Sequence, residues 1–405
     1  MLLELILALL IGVSAGTITG LIPGIHTNLI AVILLSIPAF TILNPITAVI
    51  FIASMAITHT FLDFIPAIYL GAPDEDTALS IMPGHTFLLQ GKAHQAVLLT
   101  LVGSTIALIL TIIITPIFIL IIPKIYPFIQ KMMSWFLIWI SIFLISREKQ
   151  SKLWALIIFI LAGFLGIASL NLQATPLLHL PPTNNLLPLL TGLFGSSTLI
   201  YSISQKIKIP KQKIGHLILT KKEIIKPTIL TTLVSPFASF FPGLGSSQAA
   251  IIGSNIIEIT RKQFLILLGS VNTLVMSISF VTLYLIQKPR TGAASAIAQL
   301  TTLTLQQLIY ILIAITITSI IAIFLTIKIS KIFATHINKL NYSKISVFII
   351  ILLAIITIIF SGFTGFLIFL TATCLGLTAI YSGVRRSHLM GSLLIPTILL
   401  YLPFI

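Results

Sequence analysis

Charge is scarce in this chain of 405 residues: 8% of positions are Asp, Glu, Lys or Arg, and only 8 of them are acidic. A soluble domain carries about a quarter charged residues, so a soluble enzyme and a soluble nucleic-acid-binding module are excluded. Cysteine is nearly absent too. Cys374 is the single one and lies in an apolar run, which rules out an internal disulfide framework and a thiolate metal site. No Lys or Arg precedes Lys92. The first apolar stretch therefore lacks the charged n-region of a secretory signal peptide, and residues 2–15 are expected to form a retained helix. HExxH and CxxC spacings are missing, and no nucleophile has a partnered base in the sequence, so neither a metal site nor an enzyme is expected.

What the chain has instead is hydrocarbon. Hydrophobic residues make up 57% of it, and the mean hydropathy is +1.16. Apolar stretches fall at 2–22, 29–42, 45–70, 94–122, 132–146, 153–170, 188–204, 228–241, 247–259, 263–286, 304–327, 345–360, 363–383 and 388–403. A span needs about 20 residues, so these predict an all-α polytopic protein of the cell membrane with about 10–12 membrane segments, surrounded by membrane lipids. The formal net charge of +15 resembles a nucleic-acid signature, but 7 of the 23 basic residues lie between Lys206 and Lys226. That is the pattern of a cytoplasmic loop, and no nucleic-acid partner is expected. Loops at 147–152, 205–226, 328–344 and 385–386 are assigned to the cytoplasm on the same rule, with Lys124, Lys131 and the N-terminus outside.

Two stretches, 29–42 and 247–259, are too short to span and follow Pro23-Gly24 and Pro242-Gly243. Proline removes a backbone donor and glycine adds a loose joint, so broken or re-entrant helices are expected. Residues 21–28 align with 240–247, and Tyr69-Leu70 with Tyr284-Leu285; each later match precedes a small, hydroxyl-rich stretch, 77–80 or 291–295. These matches predict two inverted repeats, 10–122 and 228–327, joined by connecting helices and a basic loop at 123–227 and followed by C-terminal helices at 328–405. The whole is one membrane domain.

Helix N-termini at the two breaks would offer unpaired N–H groups to an anion. The residues expected there are Gly24, Ile25, His26, Thr27 and Asn28 in the first repeat, and Gly243, Leu244, Gly245, Ser246 and Ser247 in the second, with Thr77, Asn272, Arg290 and Thr291 nearby. A kink filled by neighbouring helices is the plainer reading of either break alone. Acid is concentrated as well: Asp63, Asp74, Glu75 and Asp76 are half of the chain's acidic residues. Asp63 lies in an apolar stretch four residues after His59, on one helix face. It is either a structural partner of His59 or a group that exchanges a proton or holds Na+; intramembrane carboxylates are costly and point to function. His59, Asp63, Asp74 and Asp76 are the ion-coupling candidates, the loop acids being alternatively a solvated turn. With His85 these residues are the set that could converge on a metal, which no ligand spacing supports. His94, His179, His216, His336 and His388 fall near expected helix ends and are assigned to the membrane interface.

The segment Gly16-Thr17-Ile18-Thr19-Gly20-Leu21-Ile22-Pro23-Gly24-Ile25-His26-Thr27-Asn28 resembles the first signature of the large membrane subunit (TctA) of tripartite tricarboxylate transporters. Leu70-Gly71-Ala72-Pro73, Thr77-Ala78-Leu79-Ser80 and Gln90-Gly91-Lys92-Ala93-His94-Gln95-Ala96 are similar to its next block, and Phe241-Pro242-Gly243-Leu244-Gly245-Ser246-Ser247-Gln248-Ala249-Ala250 to its Pro-Gly-Leu-Gly segment. Val271-Asn272 and 288–292 correspond more weakly. The resemblance implies cation-driven secondary transport of a carboxylate, fed by an extracytoplasmic binding protein and assisted by a small membrane subunit. His26 stands where the family usually has glycine, and Asp74-Glu75-Asp76 replaces small residues, as in a divergent archaeal-type branch. The leading expectation is a permease for a small organic anion, a carboxylate, coupled to Na+ or H+ by alternating access and needing no other cofactor. The alternative is a translocase for a lipid-linked anion such as polyprenyl phosphate, which a lateral apolar opening between the repeats would favour. A homo-oligomer is compatible with either.

Overall fold

The computed structural model describes residues 2–22, 44–71, 77, 80–148, 150–177, 185–204, 209–215, 217–240, 245–337 and 342–402. Every regular element among them is helical. Hydrocarbon offers no partner to a backbone N–H or C=O, and the helix pairs both within its own segment.

A first block contains α1 (Leu2–Leu21), α2 (Pro45–Leu62), α3 (Phe64–Leu70), α4 (Ile81–Leu89) and α5 (Ala93–Ser146). Then come α6 (Lys152–Asn171), α7 (Leu186–Leu190), a π-helical turn (Thr191–Ser196) and α8 (Ser197–Ser204). A second block holds α9 (Lys221–Phe240), α10 (Ser246–Ile256), α11 (Arg261–Ile286), α12 (Gly292–Leu300) and α13 (Leu305–His336). It is followed by α14 (Tyr342–Tyr381), a 3-10 turn (Arg386–Met390) and α15 (Gly391–Tyr401). Among the described residues eight helical runs are long and apolar enough to cross a membrane.

Local chemistry sets the boundaries. Asn44 accepts from the Ile46 N–H, with Pro45 at the first helical position of α2. Capping boxes open α11 (Thr260 with Gln263) and α13 (Thr304 with Gln307). Pro66 has no N–H for the Leu62 carbonyl, and the helical run is interrupted at Asp63, between α2 and α3.

Two boundaries differ from the sequence reading. The stretches 94–122 and 132–146 belong to one helix, α5, 54 residues long with Pro116, Pro123 and Pro127 inside it. Proline tilts a helix without ending it when neighbours take up the freed carbonyl, so polar punctuation alone misplaced a break there. The stretch 304–327 extends to His336, taking Lys328 and Lys331 into α13; long basic side chains leave a helix end without leaving helical geometry. Conversely, α14 consists of two helices meeting at Gly362, where φ is +66°, which agrees with the expected boundary between 345–360 and 363–383.

Some helix lengths recur between the two blocks. α1 and α9 each have 20 residues, α4 and α12 nine, and the run 45–70 and α11 both have 26. Packing is crosswise: α2 of the first block lies against α12 and α13 of the second, while α11 of the second lies against α4 and α5 of the first. α2 and α11 also touch each other. Close approach of α5 and α11 uses glycine reciprocally. A Cβ on Gly103 would collide with the Ile266 carbonyl, and one on Gly269 with the Thr100 carbonyl.

Candidate functional site

Burial singles out two helical runs. In 45–70 and in α11, 94% of the most apolar window is buried, against 33–39% in most of the other spans. Lipid-facing helices cannot be so enclosed; these two form the centre. They are also unusually polar for that position, with Ser54, Thr58, His59, Thr60 and Asp63 on the first and Ser270, Asn272, Thr273, Ser277 and Ser279 on the second, all buried. Buried polar groups need partners, and four of these side chains, Thr60, Asp63, Asn272 and Thr273, have hydrogen-bond partners across the blocks.

Asp63 is 3% exposed and Asn272 2%. The Asn272 side-chain amide donates to the Asp63 carboxylate at 2.8 Å. One turn earlier, the Thr273 hydroxyl donates to Thr60 Oγ1 at 3.3 Å. His59, on the same run, has its Nδ1 3.1 Å from Thr19 Oγ1 of α1. The helix interruption at Asp63 thus coincides with the place where the two blocks meet through polar side chains. Such a carboxylate is held by donors and can accept a proton or a cation from any aqueous path that reaches it. Among the described residues no group of three or more His, Cys, Asp or Glu is arranged to hold a metal ion.

The remaining candidates divide. Thr77 is buried, and the Ser80 hydroxyl donates to its carbonyl at 2.7 Å. Thr291 caps α12 through the Ala294 N–H and lies 3.0 Å, Oγ1 to Oγ, from Ser279 of α11. Ser80 stands at the N-terminal boundary of α4 and makes no capping hydrogen bond with its side chain. Gly245 precedes α10, whose first residues Ser246 and Ser247 are buried. Arg290 stands apart from Asn272: it donates to the Tyr126 hydroxyl at 2.7 Å beyond the end of α11. With a rise of about 1.5 Å per residue, Ile286 already lies roughly 21 Å along the axis from Asn272. Gly24, Ile25, His26, Thr27, Asn28, Asp74, Glu75, Asp76, Gly243 and Leu244 lie outside the described residues.

Two histidines assigned to the interface are interior. His94 is 2% exposed, with its Nδ1 2.8 Å from Ser330 Oγ, to which the Tyr69 hydroxyl also approaches at 3.3 Å. His388 is 1% exposed and its Nε2 lies 2.9 Å from Glu148 Oε2. Burial lowers the His388 pKa, more than Glu148 raises it. Next to it Arg386 is buried against the π-helical turn, donating to the Leu193 and Phe194 carbonyls and to Ser197; burial lowers its pKa to about 10, so it stays charged at neutral pH. His336, by contrast, is exposed as expected. Sequence gave no signal for the Glu148–His388 pair, since its members are separated by most of the fold. A cleft of about 400 Å³ lies between α13 and α14, lined by Leu70, Phe333, Ile345, Phe348 and other apolar side chains, with His336 at its wall.

Compared with known proteins, residues 6–391 match the model of the "Tripartite tricarboxylate transporter TctA family". The chain is also 31% identical over 409 residues to the uncharacterized protein MJ1079 of Methanocaldococcus jannaschii, covering 98% of this chain and 99% of that one. No solved structure matches.

Proposed function

Because the chain belongs to the tripartite tricarboxylate transporter TctA family, we propose that it is a secondary active permease that carries a small organic anion, a carboxylate, across the cell membrane by cation-coupled alternating access. The observation that carries this reading is the Asp63–Asn272 hydrogen bond between two enclosed helices from different blocks. A group that joins two bodies at membrane depth is where ion loading can bias their relative position.

In this reading the two blocks are inverted repeats, an arrangement supported by their matching helix lengths and crosswise packing. Re-entrant tips at Pro23-Gly24 and Pro242-Gly243 present the anion site, with Gly24 to Asn28 facing Gly243 to Ser247. The polar N-terminal ends of α4 and α12, at Thr77, Ser80 and Thr291, border it. Asp63 exchanges H+ or Na+, with His59 beside it and Asp74 and Asp76 on the approach. Arg290 serves as an outlying anion contact rather than as part of the Asp63 cluster. The N-terminus is extracytoplasmic, a small membrane subunit and an extracytoplasmic binding protein complete the system, and the chain is not an enzyme. The lipid-linked-anion alternative would use an apolar lateral opening, and the cleft lined by Leu70 of the first block, by α13 of the second and by α14 is apolar.

The test is uptake by proteoliposomes of the purified chain, after a thermal-shift screen of carboxylates, phosphates and lipid phosphates with and without Na+. A carboxylate should raise the melting temperature and be accumulated only under an imposed H+ or Na+ gradient. Stabilisation by lipid phosphates alone overturns the carboxylate assignment.

A further inference from the structure

Residues 209–215, in the basic segment that links the blocks, lie as an extended strap over the turn between α4 and α5. Its Lys211 and Lys213 are exposed, while Gln212 between them is 7% exposed. The Gln212 side chain joins two helix ends at once: Oε1 accepts from the Ala93 N–H at the start of α5 at 3.0 Å, and Nε2 donates to the Leu88 carbonyl at the end of α4 at 3.0 Å. It also donates to Pro210 within the strap at 2.7 Å. The Lys213 N–H bonds the Gly91 carbonyl at 2.7 Å. Gly91 has φ +73°, and a Cβ there would lie 2.9 Å from the Lys211 carbonyl. The turn therefore requires glycine both for its own conformation and for the strap's approach.

Helix ends leave N–H and C=O groups without intrahelical partners, and the preceding residue of α5, Lys92, supplies no side-chain cap. Gln212 does that work from 119 positions away. The second block closes its equivalent turn locally, through the Thr304–Gln307 capping box. Beyond the strap, the chain enters α9, which is fastened to the start of α11: Gln263 Nε2 donates to the Lys222 carbonyl at 3.0 Å, and Lys262 pairs with Glu223 at 3.2 Å. The strap thereby connects the α4–α5 turn of one block to the first turn of α11 in the other, nine residues ahead of Asn272.

We propose that Gln212 is a positioning residue for transport. It keeps α4, and with it the Thr77–Ser80 border, in register with α11, and that border becomes accessible from the strap face only when the strap releases the turn. The transport role rests on the permease reading; the register does not.

The experiment follows labelling of Ser80→Cys by a membrane-impermeant thiol reagent, in full-length protein in nanodiscs with the exposed native Cys374 changed to Ser. Gln212→Ala should raise the labelling rate about tenfold, because the hydrogen bonds it removes hold the closed state. Gly91→Ala should do the same by lifting the strap without altering Gln212, and stands in if Gln212→Ala does not fold. Adding Lys92→Asp to Gln212→Ala supplies a local cap for α5. It should recover thermal stability while labelling stays fast and uptake stays slow. An unchanged labelling rate in Gln212→Ala and Gly91→Ala, or its return to the original rate with Lys92→Asp, overturns the proposal and leaves Gln212 as a helix cap. Failure of every carboxylate to be taken up by the unaltered chain instead overturns the permease reading, and the labelling result is independent of it.

Discussion

The amide of Asn272 donates to the carboxylate of Asp63 at 2.8 Å, joining residues 209 positions apart on two almost fully buried helices. This contact sets a carboxylate of one enclosed helical run opposite a neutral donor of the other block, so altering its charge alters how the blocks meet.

Replacing that carboxylate removes the titrating group while keeping its shape. Asp63→Asn should abolish gradient-driven accumulation in proteoliposomes and leave substrate affinity, read by thermal shift, within a few-fold of the original. Accumulation at the original rate would return Asp63 to a structural role.

The partner gives a separate measurement. Asn272→Ala leaves a buried carboxylate short of a donor and should cost about 1.5–3 kcal/mol of stability. Asn272→Asp should cost more, because two carboxylates then share one enclosed space. Combining Asn272→Asp with Asp63→Asn restores one acid and one amide, and should recover most of the lost stability. Additive losses in the double variant would show that the two side chains are not coupled.

Close packing of α5 on α11 predicts a steep penalty for one methyl group. Gly103→Ala and Gly269→Ala each press a Cβ into a facing carbonyl, and overpacking of this kind costs about 1–3 kcal/mol. Both should lower the melting temperature in detergent, whereas Gly383→Ala meets no atom within 4 Å but carries the strain of φ +71° and should fall less.

The His388 pKa is lowered by burial, with Glu148 raising it and Arg385 lowering it further. The sign follows directly: protons bind the unfolded chain more readily than the folded one, so stability is full above the ordinary value of 6.5 and declines as pH falls through it toward the folded value. The melting temperature should therefore drop on acidification from about pH 7.5 to about pH 5, and His388→Gln should flatten that slope. An equal slope in the variant would assign the acid sensitivity to other groups.

Composition by itself determined that the chain is an all-helical membrane protein, because so few charges leave no other solvent for its surface and hydrocarbon tolerates few other backbones. The block order fixed the family, and Asp63 stood out because a carboxylate in an apolar run is expensive wherever it ends up. Sequence also showed the hydroxyl-rich stretches 77–80 and 291–295, each just ahead of or at the start of a short helix, α4 or α12. Only the tertiary structure decided which neighbours those residues meet. Asn272 was legible as a candidate of the anion site but not as the donor to Asp63; Thr19 as the partner of His59, Glu148 as that of His388, and Gln212 as a cap on two distant helix ends carry no signal in spacing. Period and hydropathy report which face of a helix avoids water, and they repeat along the chain. A hydrogen bond across 209 or 119 positions depends instead on how those faces stack, which is set by glycine-sized gaps and crosswise packing, and each such contact is made only once.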